Sequence, residues 1–179
     1  MNSVAEFSRP QVADEIGLKR LDFSFEADEG ERNALAARFE LHSLEHLSAV
    51  VSVIRSDKTG HVEVTGHLSA SYSQNCVVTL VPVTLAVEES IEEFFSDEVD
   101  TASDLEINVE IDMDRPDAPE PIIENVIDLG ELVAQQFAVS MEPYPRARGL
   151  EIQADGATFG PKIDEPEENH PFAALLRLK

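Results

Sequence analysis

The sequence predicts a single α+β domain, a mainly antiparallel sheet flanked by two or three helices, with an acidic excursion and a mobile C-terminal arm. Three observations predict it. Between residues 19 and 87, Val-, Ile- and aromatic-rich stretches alternate with polar residues and are separated by turn signals. Around residues 128 to 140 the apolar spacing changes from two to the helical three and four. From Gly149 to Asn169, Gly, Pro and acidic residues accumulate without periodicity. At 179 residues the chain suits one core burying roughly 70% of its unfolded surface. The expected division is a core domain over 1–148, containing an acidic segment 88–124, and a flexible linker with a short C-terminal helix over 149–179.

The elements follow in chain order. Leu21, Phe23 and Phe25 alternate within 19–27, and Leu35, Ala36 and Phe39 have helical spacing, so a strand leads into a helix near 31–39. Leu47 to Ile54 is a β-branched run, Ser56-Asp57-Lys58-Thr59-Gly60 is a five-residue turn, and Val62, Val64, Leu68, Ala70 and Tyr72 then alternate with polar residues. That is a hairpin with one buried face. Ser73-Gln74-Asn75 reads as a second turn, and Cys76 to Val87 as a further strand with Val77, Val81, Val83, Leu85 and Val87 on one side. Pro82 marks that strand as an edge or a bulge, because proline offers no amide to a ladder.

Glu88 to Glu124 holds fifteen acidic residues against one basic residue, Arg115. Ile91, Phe94 and Phe95 tie its start to the core, Leu105, Ile107, Val109 and Ile111 alternate as a strand, and Arg115 to Pro121 reads as a proline-rich loop. The last firm element is a helix from Asp128. Its carboxylate can accept first-turn amides, with Glu131 placed to reach back and complete a capping box. Leu129, Leu132, Val133 and Phe137 share one face, and Pro143 and Pro145 stop the helix.

Charge restricts function. The chain carries 36 acidic and 13 basic residues, a net charge of −23. Such a field repels phosphate backbones and anionic membranes and attracts basic proteins. A solvated acidic surface with no partner is the plainer reading. One cysteine, Cys76, makes neither an internal disulfide nor a metal-ligand pair, which suits a reducing compartment and points to the cytoplasm. Met1 to Gln11 lacks the basic start and apolar stretch of a secretory signal. The longest nearly apolar run, Val77 to Val87, is about half the roughly 20 residues a membrane helix needs.

Catalytic and metal signatures are weak. Cys76, beside Val77 and Val78, reads as a small buried hydrophobe in a strand. His42 and His46 have i,i+4 spacing, but the residues after His42 lead into a strand, and no His-Glu-x-x-His is present. His61 and His67 fall on the polar face of the hairpin. The Asp97–Asp104 cluster lacks the glycine and closing glutamate of a calcium loop. No nucleophile elbow, phosphate-binding glycine loop or dinucleotide fingerprint occurs. The expectation is a protein that is not an enzyme, with no catalytic residues, no metal site and no cofactor.

Three blocks carry a family resemblance. The first is the Asp128-Leu129 helix with its Pro143 and Pro145 exit; the second is Asn169-His170-Pro171-Phe172-Ala173 leading into a leucine-rich end at Lys179. The third is Cys76 followed six residues later by Pro82, with Thr79 where a second cysteine would complete Cys-x-x-Cys. Together, and in this order along the chain, they resemble the large ribosomal RNA subunit accumulation protein family (YceD). The resemblance implies a cytoplasmic bacterial factor, without catalytic activity, needed for synthesis, processing or stability of 23S ribosomal RNA and so for large-subunit assembly. It also implies that the metal or redox capacity of a full cysteine pair is lost here, since threonine is a poor ligand for soft metals.

Joined to the charge, the resemblance makes a basic ribosomal protein or assembly factor the expected partner, met through Glu88, Glu89, Glu92 and Glu93. Contact with precursor 23S RNA would be indirect, or limited to a positive spot built from Arg146, Arg148, Arg177 and Lys179, with Tyr144 and Phe172 available to stack or pack. Ordinary surface charge is the plainer account of those cations. No membrane partner is expected. A different class stays open: a small-molecule or divalent-ion binding module unrelated to ribosomes, using the acidic loop or a sheet-lined pocket.

Overall fold

The computed structural model describes residues 5–97 and 118–147. Its strands are β1 (Pro10–Val12), β2 (Leu21–Glu26), β3 (Ser43–Arg55), β4 (Val62–Asn75), β5 (Pro82–Ser96), β6 (Glu120–Pro121) and β7 (Val126–Asp128); its helices are α1 (Glu29–Arg38) and α2 (Leu129–Ser140). Five strands form one sheet in the order β2-β3-β4-β5-β6, antiparallel except for the short β5–β6 pair, and β1 pairs with β7 in a separate two-stranded ribbon. An α+β fold with a mainly antiparallel sheet is what the alternating patterns predict.

Alternation sets the faces of the sheet, because successive side chains of a strand point to opposite sides. Leu47, Ala49, Val51 and Val53 of β3 and Val62, Val64, Leu68, Ala70 and Tyr72 of β4 are all buried, and the register places Val53 beside Val64 and Leu47 beside Ala70. Helices α1 and α2 cover this side. Phe137 of α2 is fully buried and meets Tyr72 and Phe39 edge-on, with ring centroids 5.3 and 5.9 Å away. Burying Tyr72 and Phe137 fully and Phe39 in part contributes several kcal/mol of transfer free energy, at roughly 25 cal/mol per Å² of apolar surface.

The predicted face of α2 is the buried one: Leu129, Leu132, Val133 and Phe137 all lie in the core. Asp128 caps the helix, its carboxylate accepting the amides of Gly130 at 3.0 Å and Glu131 at 3.1 Å. Glu131 does not close the box. Its carboxylate turns instead to Arg38 of α1, which donates two hydrogen bonds at 2.7 and 2.8 Å. A bidentate guanidinium partner outcompetes a single backbone amide for the same oxygens. The reciprocal capping box occurs at the other helix, where Asp28 accepts the Glu31 amide and the Glu31 carboxylate accepts the Asp28 amide, both at 2.9 Å. That cap starts α1 at Glu29, before the Leu35-Ala36-Phe39 spacing becomes visible.

Gly130 marks the closest backbone approach. A Cβ there would stand 2.3 Å from the Phe7 carbonyl oxygen, so only glycine lets the first turn of α2 sit against residues 7–9. The same junction is tied by the Arg9 amide on Asp128 Oδ1 at 2.7 Å and by the Leu129 amide on the Arg9 carbonyl at 3.1 Å.

Two boundaries differ from the sequence expectation. Ser73-Gln74-Asn75 is not a turn; it completes β4, paired with Thr84, Val83 and Pro82. Cys76 and Val77 therefore leave the expected strand and enter the turn, and Val77 and Val81, expected on one strand side with Val83, Leu85 and Val87, are exposed there. Second, Glu88 to Ser96 is not the beginning of an excursion but the second half of β5, held by buried Ile91 and Phe95. Pro82 is the first residue of that strand, where a missing amide costs least. Glu120–Pro121, expected within a loop, forms β6. The expected strand at Leu105–Ile111, the linker from Gly149 and the C-terminal helix lie outside the described residues.

Candidate functional site

Two of the three motif blocks meet at one end of the sheet. The β4–β5 turn closes with the Cys76 amide on the Val81 carbonyl and the Leu80 amide on the Cys76 carbonyl, each at 2.9 Å. The chain leaving α2 runs alongside: the Glu142 amide donates to the Tyr72 hydroxyl at 3.0 Å, and the Val77 amide donates to the Pro145 carbonyl at 2.9 Å. Pro143 and Pro145 thus do more than end a helix, since buried Pro145 lies in a strap that holds the turn.

Cys76 sits under that strap with its side chain fully buried. Its Sγ accepts the amides of Ala147 at 3.4 Å and Thr79 at 3.5 Å. The Thr79 hydroxyl, followed by these backbone amides, lowers the thiol from its ordinary value to about 6. Thr79, which stands where the second cysteine of the motif would be, is therefore the main partner of the first. Cys76 is buried, as the composition suggested, but as the first residue of a turn.

Around it the turn is apolar and open. Val77, Val78, Leu80 and Val81 are each about half exposed or more, and Tyr144 of the strap is 69% exposed, with Arg146 exposed beyond it. Leu80 also carries a φ of 61°, a left-handed conformation that costs a non-glycine residue roughly 1–2 kcal/mol. Sequence reasoning missed these four positions because a Val-Val-x-Leu-Val run imitates a strand; the only signal of a turn was the distance from Cys76 to Pro82. Of the expected cationic and aromatic cluster, Tyr144 and Arg146 are placed here. Arg148, Phe172, Arg177 and Lys179, with Pro171 of the closing motif, lie outside the described residues.

The four glutamates do not form one patch. The β4–β5 register places Glu89 beside Leu68 and Glu93 beside Val64, on the helix side of the sheet, whereas Glu88 beside Ser69 and Glu92 beside Thr65 face the other side. Glu93 approaches Gln136 of α2 at 3.5 Å. Glu88 and Glu92 share their side with Asp22, Glu26, Glu63, His67 and a hydroxyl-rich row including Ser48 and Ser69. Val50, on the same side, is 58% exposed, which shows how open that surface is. A shallow depression of about 280 Å³ crosses it, lined by residues including Ser48, Val50, His67, Ser69 and Glu88. On the same side of the sheet Arg20 donates to Asp22 at 3.0 Å and to the Ser52 hydroxyl at 2.6 Å.

Among the described residues, no three His, Cys, Asp or Glu side chains gather as a metal-binding group. Nor is any helix there long and apolar enough to cross a membrane.

A family model for the large ribosomal RNA subunit accumulation protein YceD matches residues 64–179, about two thirds of the chain. The chain belongs to the YceD family. The match begins in β4 and takes in the Cys76 turn, the acidic half of β5, α2 and its proline exit. It thereby covers all three sequence blocks that carry the resemblance. Comparison with curated proteins and with solved structures finds no match. YceD membership ties the chain to accumulation of the large-subunit ribosomal RNA and to ribosome-related partners.

Proposed function

We propose that this YceD-family protein supports accumulation of 23S ribosomal RNA without catalysing a reaction, by binding a basic ribosomal or assembly protein in the cytoplasm. The observation that carries the reading is the side of the sheet opposite the helices, where Asp22, Glu26, Glu63, Glu88 and Glu92 project from neighbouring strands. Against a net charge of −23, a polyanion such as RNA meets repulsion over most of the surface, while a lysine- or arginine-rich protein is attracted from a distance and held by short-range pairs. Binding such a protein would shield it until RNA receives it.

The test is purification of the tagged protein from native cells at low and high salt, with sequencing of copurifying proteins and RNA. Large-subunit proteins or their assembly factors should be enriched at low salt and lost at high salt. They should also be depleted when Glu88 and Glu92 are changed to glutamine. Recovery of the same partners at both salt concentrations, unchanged by E88Q/E92Q, would sink the reading.

A second version has the protein touching precursor RNA directly. It rests on Tyr144 and Arg146, an exposed aromatic and an exposed cation in one strap. Crosslinks to RNA that disappear in R146A would favour it. Calorimetry with calcium, magnesium and manganese addresses the unrelated alternative, a divalent-ion binding module; tight, stoichiometric heat would support that alternative.

A further inference from the structure

Residues 6–9 meet both helices at their N-terminal ends. The Arg9 guanidinium donates to both carboxylate oxygens of Glu31 in α1, at 2.7 and 3.1 Å, and the Arg9 amide donates to Asp128 Oδ1, which caps α2, at 2.7 Å. Each of these carboxylates is already part of a helix cap. Glu31 Oε2 accepts the Asp28 amide at 2.9 Å, and Asp128 Oδ1 accepts the amides of Gly130 and Glu131. One residue outside both helices therefore bonds to both caps. A second arginine closes the triangle: Arg38 of α1 reaches Glu6 at 3.0 Å and Glu131 of α2 at 2.7 Å. Phe7 is fully buried within this set of contacts, and the Arg9 guanidinium lies over its ring, 4.5 Å from the centroid.

We propose that residues 6–9 are a clasp that makes the N-terminal ends of α1 and α2 open and close as one unit, with Arg9 as the positioning residue that couples them. Helix ends ordinarily fray separately, because each first turn has four amides without helical partners and relies on its own cap. Here the two caps share a partner. Withdrawing Arg9 removes the cation from Glu31, the closing residue of the α1 capping box, and the same movement removes a charge-assisted hydrogen bond from Asp128. Lifting the segment also takes the Phe7 ring out of the core, a penalty that both caps share. The approach at Gly130, where the first turn of α2 lies against the Phe7 carbonyl, leaves little space for one partner to shift while the other stays. Two states result, clasp closed and clasp open, and any change that weakens one cap biases the other.

Two independently capped helices beside a well-packed segment would show the same contacts, and native-state amide exchange in the full chain separates the cases. It is followed at Asp28 and Glu31 for α1, at Leu129, Gly130 and Glu131 for α2, and along β3 and β4 for the sheet. The decisive variant is Glu31→Gln, because the Glu31 side chain bonds Arg9 and Asp28, both outside α2. It should speed exchange at Leu129, Gly130 and Glu131 about fivefold, by the same factor as at Asp28, and leave β3 and β4 unchanged. Arg9→Met should have the same effect at both helix ends, and Arg9→Lys, which keeps the charge without the two-pronged geometry, should fall between it and the native protein.

Acceleration confined to Asp28 and Glu31 would overturn the coupling and leave two separate caps. Equal acceleration along β3 and β4 would overturn it as well, since the opening would then be global unfolding. Unchanged exchange at every position in Glu31→Gln would show that the Arg9–Glu31 pair holds no clasp.

Discussion

Leu80 occupies in one hairpin turn the position that Gly60 occupies in the other. The β3–β4 turn closes through the Ser56 amide on His61 and the Gly60 amide on Ser56, and the β4–β5 turn repeats both bonds with Cys76, Val81 and Leu80 in the equivalent places. The fifth position is left-handed in each, with φ of 75° at Gly60 and 61° at Leu80. Replacing Leu80 with glycine should relieve the side-chain clash at a cost in unfolded-chain entropy, for a net gain of up to about 1 kcal/mol. Urea unfolding checks it. A lower midpoint would mean that the Leu80 side chain, 74% exposed, contributes packing that its exposure conceals.

Thr79 sets the acidity of Cys76. In Thr79→Val the hydroxyl is lost, and the Cys76 midpoint should rise from about 6 toward the ordinary thiol range, as read from ultraviolet thiolate absorbance against pH. The folded state favours the thiolate, so its stabilising contribution is full above the thiol's unfolded value and declines as pH falls toward about 6. The stability difference between the native protein and Cys76→Ser should accordingly shrink over that interval. A difference independent of pH would show that the buried sulfur remains a neutral thiol throughout.

Asp128 serves two elements at once. It caps α2 and also receives the Arg9 amide at 2.7 Å and the Ser8 hydroxyl at 2.5 Å. Asp128→Ala should therefore cost more than an ordinary cap, about 2 kcal/mol, while Asp128→Asn keeps an acceptor oxygen and should cost about half as much. Thermal unfolding of the two variants side by side tests the ranking.

The Arg38–Glu131 pair is a bridge between α1 and α2, and both side chains keep partial solvent access, 32% and 23%. Screening discounts such a bridge, so Arg38→Ala should cost about 1 kcal/mol at low salt and less at high salt. The guanidinium holds Glu131 below the usual carboxylate range. Its contribution is thus present above the unfolded carboxylate value and lost as pH falls through the depressed one. A loss that did not respond to salt would assign the effect to the Arg38 guanidinium lying over the Phe39 ring, 5.2 Å from its centroid.

Legibility in the sequence followed turn chemistry. Ser56-Asp57-Lys58-Thr59-Gly60 names its turn through glycine and small polar residues; Cys76-Val77-Val78-Thr79-Leu80 builds the same turn from residues that favour strands, so its location was missed. Asp128 was visible because a regular apolar face follows it, and Asp28 was obscured because Gly30 and Arg32 delay that face. Glu88 to Glu93 looked like a departure from the sheet because glutamate is depleted in strands. Ile91 and Phe95 hold it there nonetheless. Which glutamates share a side depends on register, and single-residue alternation around Cys76 could not fix that until the turn itself was placed.

The β1–β7 ribbon has a consequence for the order of events at the ribosome that makes this chain. Ser8 and Asp128 are 120 positions apart, so at roughly 5–20 residues per second on the order of ten seconds pass between synthesis of one and of the other. Hairpins β3–β4 and β4–β5 are local and close early, while Phe7, fully buried at the end, waits with its apolar ring in water until α2 emerges. The first residues made are therefore fastened only after much of the sheet has closed, and a nascent chain stalled before Asp128 carries its sheet with α1 but without α2, the second helix on that side.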